Sequence, residues 1–300
     1  QEEVTARTTR LPNSLIGIPS RDGRFLPYSD DDGHLHVWEV ATGRSRRIVD
    51  ANTGASVGQS SAMSPDGDRV AYQWPNADGT HELLVVNADG TWPRVVIPRQ
   101  TAYAPVPLDW SEDGGSILCV LVQRDRTSDL VLVPVEGGRP TLLRSFPAGM
   151  TIDPGLSPDG RFVAGGRRGG PQSDPRRSLL DPEGQRQPVA IDGTQDARMP
   201  RWLPDGRLLF VRPIEETTAH AWAVTVRWDG TAEPPVLLMR DFGFPFQSAV
   251  TRQGAIYRMT ARLSADVYIA PLDLSGESSP GAPTRVSASR IGERVGPSWS

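Results

Sequence analysis

The sequence predicts an all-β fold, a six-bladed β-propeller of four-stranded antiparallel blades, and three observations support this prediction. A short turn motif recurs along the 300 residues at a nearly constant spacing. Short apolar segments separated by further turns lie between successive copies of the motif. The 30 Gly and 28 Pro are spread evenly, which is typical of many turns and short strands. Four strands in a repeat of 44 to 48 residues indicate a propeller blade.

The repeated motif is a tight turn of the form Ser-Pro-Asp-Gly. Pro fixes φ at the second position, Asp accepts hydrogen bonds from the local backbone, and Gly takes the positive φ that closes the turn. The motif glycines are 44 to 48 residues apart, at Gly23, Gly67, Gly114, Gly160, Gly206 and Gly254. This spacing predicts repeats at about 12–57, 58–103, 104–150, 151–197, 198–244 and 245–293.

Each repeat is predicted to hold four strands. The first precedes the motif, at 15–19, 59–63, 105–110, 152–156, 199–202 and 246–250, and the second follows it, at 24–28, 69–74, 116–122, 161–164, 207–211 and 255–259. The third is clearest at 34–40, 82–87, 130–135, 221–228 and 266–272, and the fourth at 93–97, 141–144 and 236–239. Many of these segments are apolar at successive positions, as expected for blades with both faces buried. Repeat four is the weakest, with a short third strand near 177–180.

The two ends of the chain carry pieces of a further repeat. Residues 4–11 have the pattern of a fourth strand, and residues 294–300 have the pattern of a first strand and the start of a turn. We therefore expect one propeller domain over 1–300, with partial strands of a seventh blade at its ends. The pattern also suggests that the chain is a piece of a longer protein.

Composition excludes several classes of function. The net charge is −4, so no overall positive field favours nucleic acid. The chain has no Lys among its 32 basic residues, which excludes Walker A loops, Schiff bases and Ser-x-x-Lys sites. No apolar stretch approaches the length of a membrane span, so no membrane insertion is expected. We predict a monomer without a cofactor, whose single cysteine, Cys119, is a buried, inert thiol within an apolar strand.

Two histidines are weak candidates for a metal site. His34 and His36 are two residues apart on a predicted strand, so they face the same side, and Asp30-Asp31-Asp32 precedes them. A catalytic metal site needs three convergent ligands, and exposed histidines beside an acidic turn are the simpler interpretation. We therefore predict no metal, with His34 and His36 as the residues to test.

Aromatic and basic residues near turns are the candidates for partner binding. Trp110, Trp202 and Trp299 occupy one equivalent position in their repeats, so packing between blades explains them. Trp92 and Trp228 lie beside Asp-Gly turns instead, where they can contact a partner. The loop of repeat four adds a basic cluster, Arg167, Arg168, Arg176 and Arg177.

The motif resembles the PD40 repeats of TolB-like proteins, which are related to WD40 repeats. The strings Leu108-Asp109-Trp110-Ser111-Glu112-Asp113-Gly114, Pro200-Arg201-Trp202-Leu203-Pro204-Asp205-Gly206 and Gly296-Pro297-Ser298-Trp299-Ser300 match best. The chain is also similar to multi-repeat PD40 proteins of acidobacterial type, and the resemblance covers about residues 12–300. It implies a bacterial, periplasmic or extracytoplasmic protein with a partner in the cell envelope, although a cytoplasmic location stays open. These motifs form turns, so they predict the fold far better than the function.

Two functional hypotheses follow. The first is a non-catalytic scaffold that binds a protein or peptide at its rim or in its central funnel. The second is the propeller of an enzyme, either a prolyl-oligopeptidase-type serine peptidase without its hydrolase domain or a metal-dependent polysaccharide lyase. One Gly-x-Ser-x-Gly string, around Ser56, falls in a loop between predicted strands, whereas a nucleophile elbow needs a strand before it and a helix after it. We therefore predict that the chain is not an enzyme.

Overall fold

A computed structural model describes most of the chain. The described residues are 15–51, 60–148, 154–165, 189–214, 219–227, 231–242 and 247–259, with the short pieces 151–152, 167–168, 178–180, 229, 268–269 and 284–285. The chain divides into two units, Gln1–Met259 and Thr260–Ser300. The first unit is a β-propeller, and the paragraphs below concern this unit unless they state otherwise.

The first three repeats form complete antiparallel blades of four strands each. Blade 1 contains β1 (Leu15–Ile16), β2 (Phe25–Ser29), β3 (Leu35–Glu39) and β4 (Arg44–Val49). Blade 2 contains β5 (Ser61–Met63), β6 (Arg69–Pro75), β7 (His81–Asn87) and β8 (Arg94–Ile97). Blade 3 contains β9 (Ala104–Trp110), β10 (Ser116–Val122), β11 (Ser128–Pro134) and β12 (Thr141–Phe146).

Repeats four and five also form four-stranded sheets, and the described part of the third strand of repeat four is short, as predicted. Repeat four contains β13 (Thr151–Ile152), β14 (Gly155–Leu156), β15 (Val163–Gly165), β16 (Arg167–Arg168), β17 (Ser178–Leu180) and β18 (Val189–Ala190). Its four-stranded sheet is β14-β15-β17-β18, and β13 pairs with β16 beside it. Blade 5 contains β19 (Arg198–Trp202), β20 (Leu208–Pro213), β21 (Ala219–Val224) and β22 (Val236–Met239).

The sixth repeat is described in part, so the prediction of six complete blades stays a prediction. Its described strands in the first unit are β23 (Gln247–Val250) and β24 (Ile256–Met259), which form a two-stranded sheet. In the second unit, β25 (Tyr268–Ile269) pairs with β26 (Thr284–Arg285). The described residues therefore show five four-stranded blades and half of a sixth. The predicted pieces of a seventh blade, 4–11 and 294–300, lie outside the described residues.

Each pair of repeats that are consecutive in the sequence, from one to six, encloses an apolar core, as the prediction of two buried faces requires. Strand β10 shows the cause, because five consecutive residues from Ile117 to Leu121 are buried and therefore point alternately into two different cores. One core lies between blades 2 and 3 and contains Leu83, Trp110 and Cys119. Corresponding cores lie between the other neighbours, from repeats one and two to repeats five and six.

Cys119 is fully buried in one of these cores, as predicted. Burial raises the pKa of its thiol far above the usual range, because the thiolate would lose its hydration. The thiol is therefore inert at neutral pH while blade 3 stays folded.

The ring of repeats also makes contact between its sixth and first members. The backbone N–H of Arg252 donates to the carbonyl of Arg21 at 2.6 Å, and the Tyr257 hydroxyl donates to the carbonyl of Gly23 at 3.0 Å. A side chain at Gly23 would meet the Thr251 methyl group at 2.9 Å, so glycine is needed there for close approach as well as for its φ of 72°. Strands β23 and β24 therefore pack between blade 5 and blade 1.

None of the residues that the structure describes belongs to a helix long and apolar enough to cross a membrane.

Candidate functional site

The motif turns carry the same internal bonding in several repeats, and this bonding fixes where the first strand of each repeat ends. In repeat three, the Ser111 hydroxyl donates to Asp113 at 2.6 Å and accepts the backbone N–H of Ser116 at 2.8 Å. The same carboxylate accepts the backbone N–H of Gly115 at 2.9 Å. The bonds from Ser111 and Gly115 lower the pKa of Asp113. The prediction that the aspartate of the motif accepts hydrogen bonds from the local backbone is therefore confirmed in this turn.

Trp110 and Trp202 hold neighbouring repeats together, as predicted. The indole N–H of Trp110 donates to the carbonyl of Ala62 in repeat two at 3.0 Å. The indole N–H of Trp202 donates to the carbonyl of Gly155 in repeat four at 3.1 Å. Each indole thus crosses to the first strand of the preceding repeat, and together these bonds fix the spacing of the innermost strands.

The innermost strands and their turns surround a cavity in the centre of the propeller. Water can occupy about 30 Å³ of this cavity, and repeats one, three, four, five and six line it. Its apolar lining includes Ile18, Leu108, Leu156, Trp202 and Val250, and its charged lining consists of Arg21, Asp109 and Arg201. We call this cavity the central channel. It is the candidate functional site, because it combines an apolar wall with a few charged groups.

One ion pair spans the central channel between repeats one and three. Nη2 of Arg21 contacts the two carboxylate oxygens of Asp109 at 3.1 and 3.2 Å and the carbonyl of Trp110 at 3.3 Å. The Asp109 carboxylate also accepts the backbone N–H of Trp110 at 2.9 Å and that of Leu156 at 3.3 Å. The side chains of Arg21 and Asp109 are only 14% and 18% exposed, so solvent screens this pair weakly.

A second ion pair joins the motif turns of repeats three and six. Nε of Arg252 donates to Oε1 of Glu112 at 2.9 Å, and Nη2 of Arg252 contacts the same oxygen. Repeats six and three are joined in this way across 140 residues of sequence. We call the three motif turns that carry Arg21, Glu112 and Arg252 the motif mouth.

Sequence reasoning missed the charged residues of the motif mouth. The second position of the motif is Pro in repeats two, four and five, at Pro65, Pro158 and Pro204. It is Arg21, Glu112 and Arg252 in the other three repeats. The motif pattern alone counts these residues as positions of the turn and predicts no binding role for them. The loss of Pro at equivalent positions was the signal that could have identified them.

His34 and His36 both contact acidic residues, but in different ways. Nε2 of His36 lies 2.8 Å from Oδ2 of Asp30, while the backbone N–H of His34 donates to Oδ1 of the same carboxylate at 2.8 Å. Nδ1 of His34 accepts the backbone N–H of Ala51 at 2.9 Å. Asp30, Asp32 and His34 can offer three ligand atoms within 4.8 Å of one another. This group lies at the turn between β2 and β3, away from the lining of the central channel.

His36 also belongs to a network with the residue types of a hydrolytic triad. Its Nδ1 lies 3.4 Å from the Ser45 hydroxyl, and its Nε2 contacts Asp30. The Tyr28 hydroxyl lies 2.7 Å from that of Ser45, and the Tyr28 ring stacks on His36. Tyr28 thus shares the serine hydroxyl, and the contact between Ser45 and His36 is long. The network ties β2, β3 and β4 together, and its geometry fits this structural role better than nucleophilic attack.

Among the residues predicted to bind a partner, the structure describes the side chain of Trp92 and the backbone of Arg167 and Arg168. Trp92 follows the turn between β7 and β8 in blade 2 and is 82% exposed, with a positive φ of 56°. Arg167 and Arg168 form β16 in repeat four. Arg176, Arg177, Trp228 and Ser56 lie outside the described residues. Trp92 therefore remains a separate candidate at the rim.

Comparisons with known proteins agree with this fold. No protein-family model matches the chain, and no curated protein matches it. A TolB protein of Agrobacterium tumefaciens is similar in structure, with a TM-score of 0.55 and 18% identity over 76% of this chain and 82% of that one. TolB of Acinetobacter baumannii gives a TM-score of 0.54 and 14% identity over 74% of this chain and 56% of that one.

An enzyme has a similar structure as well. Oligogalacturonate lyase in complex with manganese gives a TM-score of 0.54 and 17% identity over 81% of this chain and 69% of that one. At these identities the likeness concerns the fold alone. The chain therefore has the β-propeller fold found in TolB proteins, and the same fold is found in a lyase.

Proposed function

We propose that this chain is a non-catalytic binding propeller that holds a protein or peptide partner at its central channel. The observation that carries the proposal is the lining of the channel, where Leu108, Leu156 and Val250 form an apolar wall beside Arg21 and Arg201. Such a wall favours apolar side chains of a partner, while the guanidinium groups favour its polar or negatively charged groups.

The proposal includes a complete sixth blade. Strands β23 and β24 take the first and second positions of that blade, and Val250 and Ile256 pack on the core of blade 5. The resemblance to PD40 repeats supports a monomeric protein outside the cytoplasm with a partner in the cell envelope.

The test is capture of a partner from an envelope extract by the purified chain and two variants of one blade. Leu108→Trp would fill the central channel, whereas Leu142→Trp changes an exposed residue of β12 on the outer side of the same blade. We expect Leu142→Trp to retain the captured protein and Leu108→Trp to reduce its amount about tenfold, which corresponds to about 1.4 kcal/mol of binding free energy.

A third variant tests the rim. If Trp92→Ala abolishes capture while Leu108→Trp does not, the partner binds at the rim and the channel proposal is wrong. Circular dichroism of each variant would show whether the fold is retained, so that a loss of capture can be assigned to the binding surface.

A metal-dependent lyase is the second candidate, and one specific observation favours it. Asp30, Asp32 and His34 offer three ligand atoms close together, and one structurally similar propeller is a lyase in complex with manganese. We expect purified protein to contain less than one metal ion per chain and to keep its melting temperature after treatment with EDTA. Stoichiometric manganese, lost in His34→Ala together with thermal stability, would favour the lyase instead.

A further inference from the structure

Two ion pairs join repeats that are not neighbours in the ring, and the order of the ring fixes where these pairs lie. Consecutive repeats contact one another from one to six, and the backbone bond from Arg252 to Arg21 closes the ring between six and one. Repeats three and six are therefore opposite members of a ring of six. The ion pair between Arg252 and Glu112 joins these two repeats, so it passes across the axis of the ring. We call it the axial pair.

The ion pair between Arg21 and Asp109, which we call the lateral pair, lies to one side of this axis. It joins repeats one and three, so it passes in front of repeat two, which lies between them in the ring. The lining of the central channel agrees with this position, because the described residues that form it come from every repeat except repeat two. Among the described ion pairs, only the axial pair therefore crosses the side of the channel that repeats four to six form.

The two ion pairs differ in how firmly they are held. The side chains of Arg21 and Asp109 are mostly buried, and the Asp109 carboxylate also accepts two backbone N–H groups. The side chains of Arg252 and Glu112 are 51% and 39% exposed, and both contacts go to the same carboxylate oxygen. Ion pairs in such exposed positions contribute little to stability and are screened by salt. The axial pair can therefore break while the lateral pair stays formed.

We propose that the axial pair is a latch that closes the central channel at the motif mouth. While the pair is formed, it separates the solvent from the side of the channel that repeats four to six line. When salt breaks the pair, the side chains of Arg252 and Glu112 move apart, and water and molecules of similar size reach that side. The inference goes beyond the proposed function, because it states what opens the channel and not what binds there.

The experiment measures how fast a small oxidant reaches the channel. Val250→Cys places a thiol in the channel lining, two residues before Arg252, and the oxidant is hydrogen peroxide, a neutral molecule little larger than water. Mass spectrometry gives the oxidation rate of this thiol in the full chain. Leu142→Cys, at an exposed position of β12, gives the rate for an uncovered thiol, which should be the faster of the two. The native Cys119 is fully buried, so it adds little to either signal.

Variants that break the axial pair should all speed the oxidation of the introduced thiol. Combined with Val250→Cys, Glu112→Gln and Arg252→Gln should each raise the rate about threefold to fivefold, the size expected for the loss of an exposed ion pair. The two changes together should raise the rate no further, since both remove the same bond. An increase in ionic strength from about 0.01 M to about 1 M should raise the rate in the chain with the intact pair and not in these variants.

Local charge and general loosening predict different results. A change of local charge alone would shift the reactivity of the thiol in opposite directions, because Glu112→Gln removes a negative charge and Arg252→Gln a positive one. Arg94→Gln is the matched control, because it breaks an exposed ion pair between repeats two and three that lies outside the channel lining, and it should leave the rate unchanged. Opposite shifts, no shift, or an equal effect of Arg94→Gln would each show that the axial pair is not a latch.

A second reporter keeps the test independent of one substitution. If circular dichroism shows that Val250→Cys does not fold, Leu108→Cys places a thiol in the channel lining from repeat three, and the same rates are expected to change. No partner takes part in these measurements. A failed latch would therefore leave the capture experiment as a separate test of the proposed function, and failed capture would leave the latch intact.

Discussion

Blades 3 and 4 carry the same turn motif but very different strands. The turns Ser111-Glu112-Asp113-Gly114 and Ser157-Pro158-Asp159-Gly160 make equivalent bonds, with the serine hydroxyl 2.6 Å from the aspartate in both. The first three strands of blade 3 have seven residues each, whereas the described parts of the first three strands in the four-stranded sheet of repeat four have two or three. Equivalent turns therefore precede strands of different described length.

The largest expected effect comes from the indoles that join repeats. Trp110→Ala should lower the free energy of unfolding by about 3–5 kcal/mol, because it removes a fully buried ring and its bond to Ala62. Trp202→Ala should cost about 1–2 kcal/mol less, because the short strands of repeat four can relax around the cavity. Urea unfolding followed by circular dichroism measures both values.

The comparison between the two Trp variants tests whether strand length controls the interface. Equal costs for Trp110→Ala and Trp202→Ala would show that the interface between repeats four and five is as rigid as that between two and three. The length of the strands would then not affect the free energy that the interface between adjacent repeats contributes to folding.

A smaller loss of stability is expected at the motif turns of blades 3 and 4, and it should be the same at both. Asp113→Ala and Asp159→Ala each remove the acceptor of one hydroxyl and one backbone N–H, so each should cost about 1 kcal/mol. Thermal unfolding of both variants beside the unaltered chain provides the measurement. A clearly larger loss in blade 3 would show that the contribution of the turn depends on the strands that it connects.

The dependence on pH has a defined sign at Asp113. The Ser111 hydroxyl and the Gly115 N–H lower the pKa of this carboxyl in the folded chain. Its contribution to stability is therefore present above the pKa of the unfolded chain, about 4, and is lost as the pH falls through the lower pKa of the folded chain. The melting temperature of Asp113→Ala should accordingly fall less between pH 5 and pH 3 than that of the unaltered chain.

The sequence predicted most of the fold because the turns and the strands beside them are determined by residues that are close together in the sequence. Each motif glycine marks one turn, and the segments on either side of it are the first two strands of a blade. The described residues contain five complete blades and the first two strands of the sixth, so the prediction of six complete blades stays a prediction. The ion pairs were beyond reach, because Arg21 and Asp109 are 88 residues apart and meet only where the ring closes.

The candidate site was predicted only in outline. A central funnel follows from any propeller, but its chemistry depends on which residues of the first strands face inward. Leu108 and Asp109 line the channel although they are consecutive in β9, where the register shifts between Leu118 and Cys119 of the paired strand. A strictly alternating strand would have placed them on opposite faces.

The buried thiol of Cys119 can report how often blade 3 opens. Since this is the only cysteine in the chain and it lies in the middle of β10, a thiol reagent can modify it only when blade 3 opens. The rate of modification therefore records how often one blade separates from its neighbours, without any introduced label. An occupied central channel would slow that rate if the bound partner holds repeats one, three and six together, so one native atom can report on events at the centre of the ring.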